Sequence, residues 1–145
     1  MKNIIFLALL SVLPAHAIGL KDLKGKWSAK HTETTDGEGI RLSSSIVGSK
    51  GSNGTWTLKE TVTYPVTIKA TYTFQKDGKF KSVVIQSGHI VLSTYNGTWK
   101  ASGGVIKISA KGTDGKFYAT VTGDKNEFKV NGTFGSSKLT IKGRR

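Results

Sequence analysis

The sequence predicts an all-β domain, an antiparallel up-and-down barrel of about eight to ten strands. Three observations predict it. Glycine supplies 18 of the 145 residues and threonine 17, and both are poor in helix interiors. Two-residue pairs that reach positive φ easily, as tight hairpins demand, recur along the chain: Asp36-Gly37, Asn53-Gly54, Asp77-Gly78, Gly103-Gly104, Asp114-Gly115 and Asn131-Gly132. Each is read as closing a hairpin. Between them the apolar residues recur with a period of two, which makes one strand face greasy and the other wet.

Taken in order, Met1–Ala17 reads as a signal peptide: Lys2, an apolar run from Ile4 to Leu13, then Ala15-His16-Ala17 as a small-x-small cleavage site. That run is about half the roughly twenty residues a spanning helix needs, so no membrane-spanning segment is expected after cleavage. Residues 18–145 then form one domain, secreted or periplasmic. Loss of Lys2 leaves 21 basic residues against 9 acidic ones, a net charge near +12. With no cysteine, disulfides, thiolate metal sites and thiol catalysis are excluded.

A short turn is expected at Leu20 to Leu23, ahead of a first strand at Lys26 to Thr34. Trp56, Leu58, Val62 and Tyr64 alternate with threonines and Lys59; Ile68, Ala70, Tyr72 and Phe74 with Lys69, Thr71 and Thr73. The same arithmetic places Ile106, Ile108 and Ala110 on one face, then Phe117, Ala119 and Val121, then Phe128, Val130 and Phe134, then Leu139 and Ile141. A two-layer sandwich would satisfy this burial pattern, but closure removes exposed edges and favours the barrel. An outer-membrane barrel is disfavoured, because its lipid-facing surface must be apolar and here that face is threonine and lysine. Asn-Gly-Thr recurs at 53, 96 and 131 with unequal spacing, which reads as repeated hairpin chemistry rather than a solenoid period. These triplets also match the glycosylation sequon, and with a simple bacterial-type leader they are read as unmodified turns.

Leu23-Lys24-Gly25-Lys26-Trp27 resembles the Gly-x-Trp signature that opens the first strand of lipocalins and other calycins. Tyr72 to Phe80, then Gly97 to Lys100 running into Val105 to Ile108, are similar to the central hairpins of small bacterial lipocalin-like domains. The resemblance implies a barrel of eight or more strands, closed at one end, whose interior often holds a small apolar molecule. It also implies that Trp27 plugs the closed end beneath a basic side chain: Lys142, Arg144 or Arg145. A flanking late helix belongs to the full family pattern and has no counterpart after Gly112, which fits a minimal lipocalin-like domain. Avidins share the opening motif, but their loop tryptophans have no counterparts here.

Catalytic chemistry is sparse. His31 and His89 are the histidines left after cleavage, neither lies in a motif, and no nucleophile elbow or phosphate-binding glycine loop occurs. The chain is expected not to be an enzyme, and no cofactor is implied. His31 and Glu33 share a strand face with Asp36 and Glu38 beyond, a set that suits a hard cation but reads more simply as a solvated acidic hairpin tip. His89 reads as a rim histidine.

Two features carry function. On the apolar faces stand Trp56, Tyr64, Tyr72, Tyr95 and Trp99, with Glu60 in phase with Trp56 and Tyr64. A carboxylate inside a barrel needs water, a proton or a partner. The expected ligand-binding set is therefore Trp56, Glu60, Tyr64, Tyr72, Tyr95 and Trp99, around a small, mostly apolar ligand whose amine or hydroxyl, or else Arg41, pairs with Glu60. Against this stands a core filled by its own side chains. On the opposite faces Lys59, Lys69, Lys81, Lys100, Lys107, Lys111, Lys129, Lys142, Arg144 and Arg145 form a cationic shell. It suits a polyanion such as lipopolysaccharide, glycosaminoglycan or nucleic acid, or serves solubility alone. Action through the hairpin loops, as an inhibitor or adhesin, ranks third.

Overall fold

The computed structural model describes residues 17–88 and 90–145; the signal-peptide reading of 1–16 and the reading of His89 lie outside them. A four-residue 3-10 turn, Leu20–Leu23, leads into ten strands: β1 (Gly25–Thr35), β2 (Glu38–Lys50), β3 (Trp56–Val62), β4 (Ile68–Phe74), β5 (Lys79–Gln86), β6 (Ile90–Ser102), β7 (Val105–Gly112), β8 (Gly115–Gly123), β9 (Glu127–Phe134) and β10 (Ser137–Arg144). Each strand pairs antiparallel with the next, and β1 pairs with β10, closing the barrel. The up-and-down order follows from the short hairpins. Asp36 and Gly37 both have positive φ, at 51° and 82°, as do Gly103 and Gly104, at 63° and 79°, which suits their two-residue turns.

One expected hairpin is not a hairpin. Asn131-Gly132 lies within β9, where Gly132 pairs with both Ala119 and Leu139. The glycine serves close packing instead, since an added Cβ would meet the Tyr118 carbonyl oxygen at 2.7 Å. Asn96-Gly97 likewise lies inside β6, so two of the three Asn-Gly-Thr triplets are strand rather than turn.

The side-chain phase holds around the barrel. Ile106, Ile108, Ala110, Phe117, Ala119, Val121, Phe128, Leu139 and Ile141 are buried inside, while Lys59, Lys69, Lys81, Lys100, Lys107, Lys111, Lys129 and Lys142 are exposed outside. Among the described residues no helix is long and apolar enough to cross a membrane.

The two ends of the barrel differ. At one end the Leu20–Leu23 turn folds across the opening and buries Ile18, Leu20 and Leu23, with the Ile18 amide donating to the Gly104 carbonyl at 2.9 Å. Trp27 lies beneath this plug: its indole N–H donates to the Leu23 carbonyl at 3.0 Å and its ring meets Phe128 edge-on at 4.9 Å. Of the three basic residues that the calycin resemblance offered as its cover, Arg145 takes the place, with the guanidinium 4.0 Å from the indole centroid. The same guanidinium donates to the carbonyls of Lys125 and Asp22, at 2.6 and 2.8 Å. Phe74 and Phe80, edge-on at 5.2 Å, extend the aromatic layer across this half of the interior.

The plug approaches the wall where β2 has no side chain. A Cβ on Gly48 would run into the Leu23 carbonyl oxygen and crowd Leu58. Gly48→Ala is expected to destabilise the barrel by about 1–3 kcal/mol through overpacking, read as a lower urea midpoint at unchanged slope.

Candidate functional site

Toward the other end the interior is not filled. A cavity of about 260 Å³ lies inside the barrel, with Leu42, Val62, Ile68, Ala70, Val84 and Phe117 on its apolar wall and His31, Glu33, Glu60, Tyr72, Tyr95 and Asp114 among its polar lining. Why these residues meet follows from the pleat. Trp27 points inward, so Ala29, His31 and Glu33 must do so too, along β1; Ile46 inward carries Ser44 and Leu42 with it along β2. On β3, Val62 and Glu60 share that face, and on β4 so do Ala70 and Tyr72.

Glu60 is 3% exposed and fully partnered from within the chain. Ser44 donates its hydroxyl to Glu60 Oε2 at 2.7 Å, and Tyr72 donates to Oε1 at 3.0 Å. His31 Nδ1 stands 3.6 Å from Oε2, and its Nε2 stands 3.8 Å from Glu33 Oε2. Burial alone would push the imidazole toward its neutral form, but hydrogen bonding and attraction from Glu33 and Glu60 prevail and raise its pKa from 6.5 to about 9. Burial likewise favours a protonated Glu60, and it is outweighed by His31, Ser44 and Tyr72, which hold the carboxyl below its usual range. The pair is thus imidazolium and carboxylate at neutral pH. The Tyr72 hydroxyl, desolvated and facing Glu60, is raised well above its usual value and remains a donor.

Two buried polar atoms lack a hydrogen-bond partner among the described residues: His31 Nδ1, which faces Glu60 at ion-pair distance only, and the Tyr95 hydroxyl on the cavity wall, which faces no charged partner at such a distance. An unpaired buried hydroxyl costs about 1–3 kcal/mol, a cost that a ligand's polar group would relieve.

Of the six residues expected at the site, Glu60, Tyr72 and Tyr95 line the cavity and Trp56, Tyr64 and Trp99 do not. Trp56 and Trp99 point inward but lie in the aromatic layer of the plugged half. Trp56 is paired with Phe74 across the β3–β4 ladder, and Trp99 meets Phe74 edge-on at 5.9 Å and donates its indole N–H to the Gln75 carbonyl at 2.8 Å. Tyr64 lies beyond the end of β3, in the connection that carries Pro65, and is 83% exposed. Arg41 is exposed on the outer face, out of phase with inward-facing Leu42, and does not pair with Glu60. His31, read from sequence as part of a solvated hairpin tip, is the inward partner of Glu60; Asp36 and Glu38 do lie exposed at that tip.

No family model matches the chain, and no curated protein matches it. Among solved structures, the crystal structure of Rv2717c from M. tuberculosis aligns with a TM-score of 0.62 at 12% identity, over 87% of this chain and 94% of that one. A redesigned β-barrel aligns at 19% identity and a TM-score of 0.49, over 87% and 93%. At 12% identity the first likeness shows the fold, a small β-barrel, and nothing finer.

The charge pair sets a pH dependence whose sign follows from the shift. Because the folded pKa of His31 lies above the unfolded one, its stabilisation is complete below about 6.5 and is lost as pH rises through about 9. The melting temperature is expected to fall between those values, and His31→Gln to flatten that limb; an unchanged limb in the variant would assign it to other groups.

Proposed function

We propose that the chain is a secreted or periplasmic, lipocalin-like binding protein, not an enzyme, that holds one small and mostly apolar molecule inside the barrel. The observation that carries this reading is the cavity at the unplugged end, with an unpartnered phenol and a buried ion pair on a wall that mixes apolar side chains with a few acidic and hydroxyl groups. A core shaped only for stability would close around such a space, since every void forfeits packing contacts. Ligand pockets usually begin near 300 Å³, so about 260 Å³ suits a single aromatic ring with a short polar arm. The plug at the far end, with Arg145 over Trp27, supports the lipocalin-like assignment.

The polar lining favours a particular head group. Glu33, Glu60 and Asp114 outnumber His31, so a carboxylate ligand meets net repulsion, whereas an amine or hydroxyl meets acceptors. Glu60 itself is already satisfied by Ser44 and Tyr72, which leaves the Tyr95 hydroxyl, and His31 Nδ1 beside Glu60, as the groups without a hydrogen bond. Phenethylamine and phenethyl alcohol are expected to raise the melting temperature in a concentration-dependent way, and phenylacetate not to. Ala70→Phe, which fills the cavity, should abolish both responses. Silence from all three compounds in the unaltered protein would remove this reading.

A second reading is favoured by one row of the ladder. Lys30 stands directly opposite Lys142, and Lys142 directly opposite Lys129, so three cations cross three adjacent strands. With Arg41 they line a groove on the outer wall, and none has a carboxylate within ion-pair distance among the described residues. Directly opposed like charges weaken a sheet. A polyanion lying across the row would turn that cost into affinity by releasing its own counterions. Retention on heparin at about 0.3 M salt or above, lowered in Lys30→Gln/Lys142→Gln, is the expected result; elution near physiological salt, unchanged by the substitutions, would leave the lysines a solubility role.

A further inference from the structure

The barrel keeps most of its large side chains inside, but several stand in water, and they are not scattered. Among the described residues the exposed large hydrophobic side chains are Ile40, Val47, Tyr64, Val66, Ile90, Val91, Leu92 and Tyr118. All but Val47 and Tyr118 belong to the unplugged end. Ile40 begins β2, Tyr64 and Val66 form the β3–β4 connection, and Ile90, Val91 and Leu92 begin β6. These segments are neighbours around the barrel, because β2 to β6 pair in sequence, and the Ser87 amide donates to the Thr67 carbonyl at 2.9 Å to tie the two loops together. They make an apolar arc along one side of the cavity mouth.

A local irregularity builds it. The β5–β6 register shifts between Val84 and Ile85, so that Val84 faces Ser93 and Ile85 faces Val91, leaving Leu92 as the extra residue of a bulge. Leu92 thereby reaches the cavity lining while Ile90 and Val91 remain outside. Tyr64, Val66, Ile90 and Val91 line neither the interior cavity nor the basic groove, so neither proposed ligand covers them.

We propose that this arc docks the barrel, mouth first, onto an anionic lipid bilayer. Charge selects this occupant. The chain carries a formal net charge of +13, so a second copy meeting it face to face is repelled, whereas an anionic surface attracts the whole molecule. Closure of the sheet leaves no free edge for an added strand from another protein. The arc has the composition of an interfacial anchor: aliphatic residues and one tyrosine, with no acidic residue in 63–67 or 85–92 and with Lys69 and Arg41 exposed on its flanks. The acidic residues at this end, Glu33, Asp36, Glu38 and Asp114, lie on the β1–β2 and β7–β8 sides, where Ile40 at the edge of the arc pairs with Glu33; the rest of the arc, at the ends of β3 to β6, is clear of them. Docking of this kind places the cavity mouth against the membrane surface, and it stands whether or not the cavity takes a ligand.

The test is co-sedimentation of the protein with vesicles of phosphatidylcholine and phosphatidylglycerol in equal parts, beside vesicles of phosphatidylcholine alone. The unaltered chain is expected to bind the anionic vesicles. Ile90→Ser/Val91→Ser, at exposed positions, is expected to weaken binding about tenfold or more, while Tyr118→Ser, exposed on the barrel wall, leaves it unchanged. Heparin retention of the Ile90/Val91 variant should match the unaltered chain, which separates the arc from the lysine row. Vesicle binding that survives the double substitution and vanishes only with salt would overturn the proposal in favour of the cationic shell. Absence of vesicle binding would overturn it too, as would a dimer that the same substitutions dissolve.

Discussion

The interior of a closed antiparallel barrel is built from alternate residues of its strands, and here the one element outside the sheet among the described residues, the Leu20–Leu23 turn, covers only one end. That constraint governs this molecule. A one-residue slip would turn Glu60 outward and Lys59 inward, stranding a cation among Ile46, Val62 and Ala70. The regular pairing along nine of the ten ladders keeps the phase, and the single shift, at Val84 and Ile85, occurs where the strand nears the mouth.

Within that frame the two halves of the interior have separate tasks. The plugged half is aromatic and full: Trp27 meets Phe128, and Phe74 meets Phe80, edge to face, in one core with Leu20 and Leu23 of the turn. The other half carries charge. A buried imidazolium and carboxylate cost desolvation energy that their attraction alone rarely repays, and the hydroxyls of Ser44 and Tyr72 supply the hydrogen bonds that make the arrangement tenable. Burial in the packed half is nearly complete, with Ile106 and Leu23 almost wholly shielded from water.

Much of this was legible in the residues, and the misses share a cause. Alternation identifies the face a side chain takes, so the inward placement of Glu60, Tyr72 and Tyr95 is legible, and the barrel with it. It does not give height along the axis. Trp56 and Trp99 therefore looked equivalent to Tyr72 although they lie in the full half. Nor does it announce where a strand stops: Tyr64 keeps the phase of Val62, yet the chain has already left the ladder before Pro65. His31 was within reach of the same arithmetic, since an inward Trp27 fixes it inward, but the acidic residues beyond it suggested an exposed tip. The Lys129–Lys142–Lys30 row is a matter of register between strands distant in sequence, and periodicity within one strand carries no trace of it. Ile90-Val91-Leu92 did leave a trace, as three consecutive apolar residues break a period of two.

The β1–β10 seam joins segments more than a hundred residues apart, and Arg145 fastens both to the plug. A nascent chain can zip its first strand against β2 on one side only: the other edge of the opening strand, made early, stays open until the tenth emerges. Closure of such a barrel is a late event that joins residues far apart in sequence, slow by comparison with the folding of helical domains. The abundance of glycine turns and outward lysines then has a meaning beyond the finished shape, for it keeps the waiting edge soluble and discourages it from joining a neighbour's.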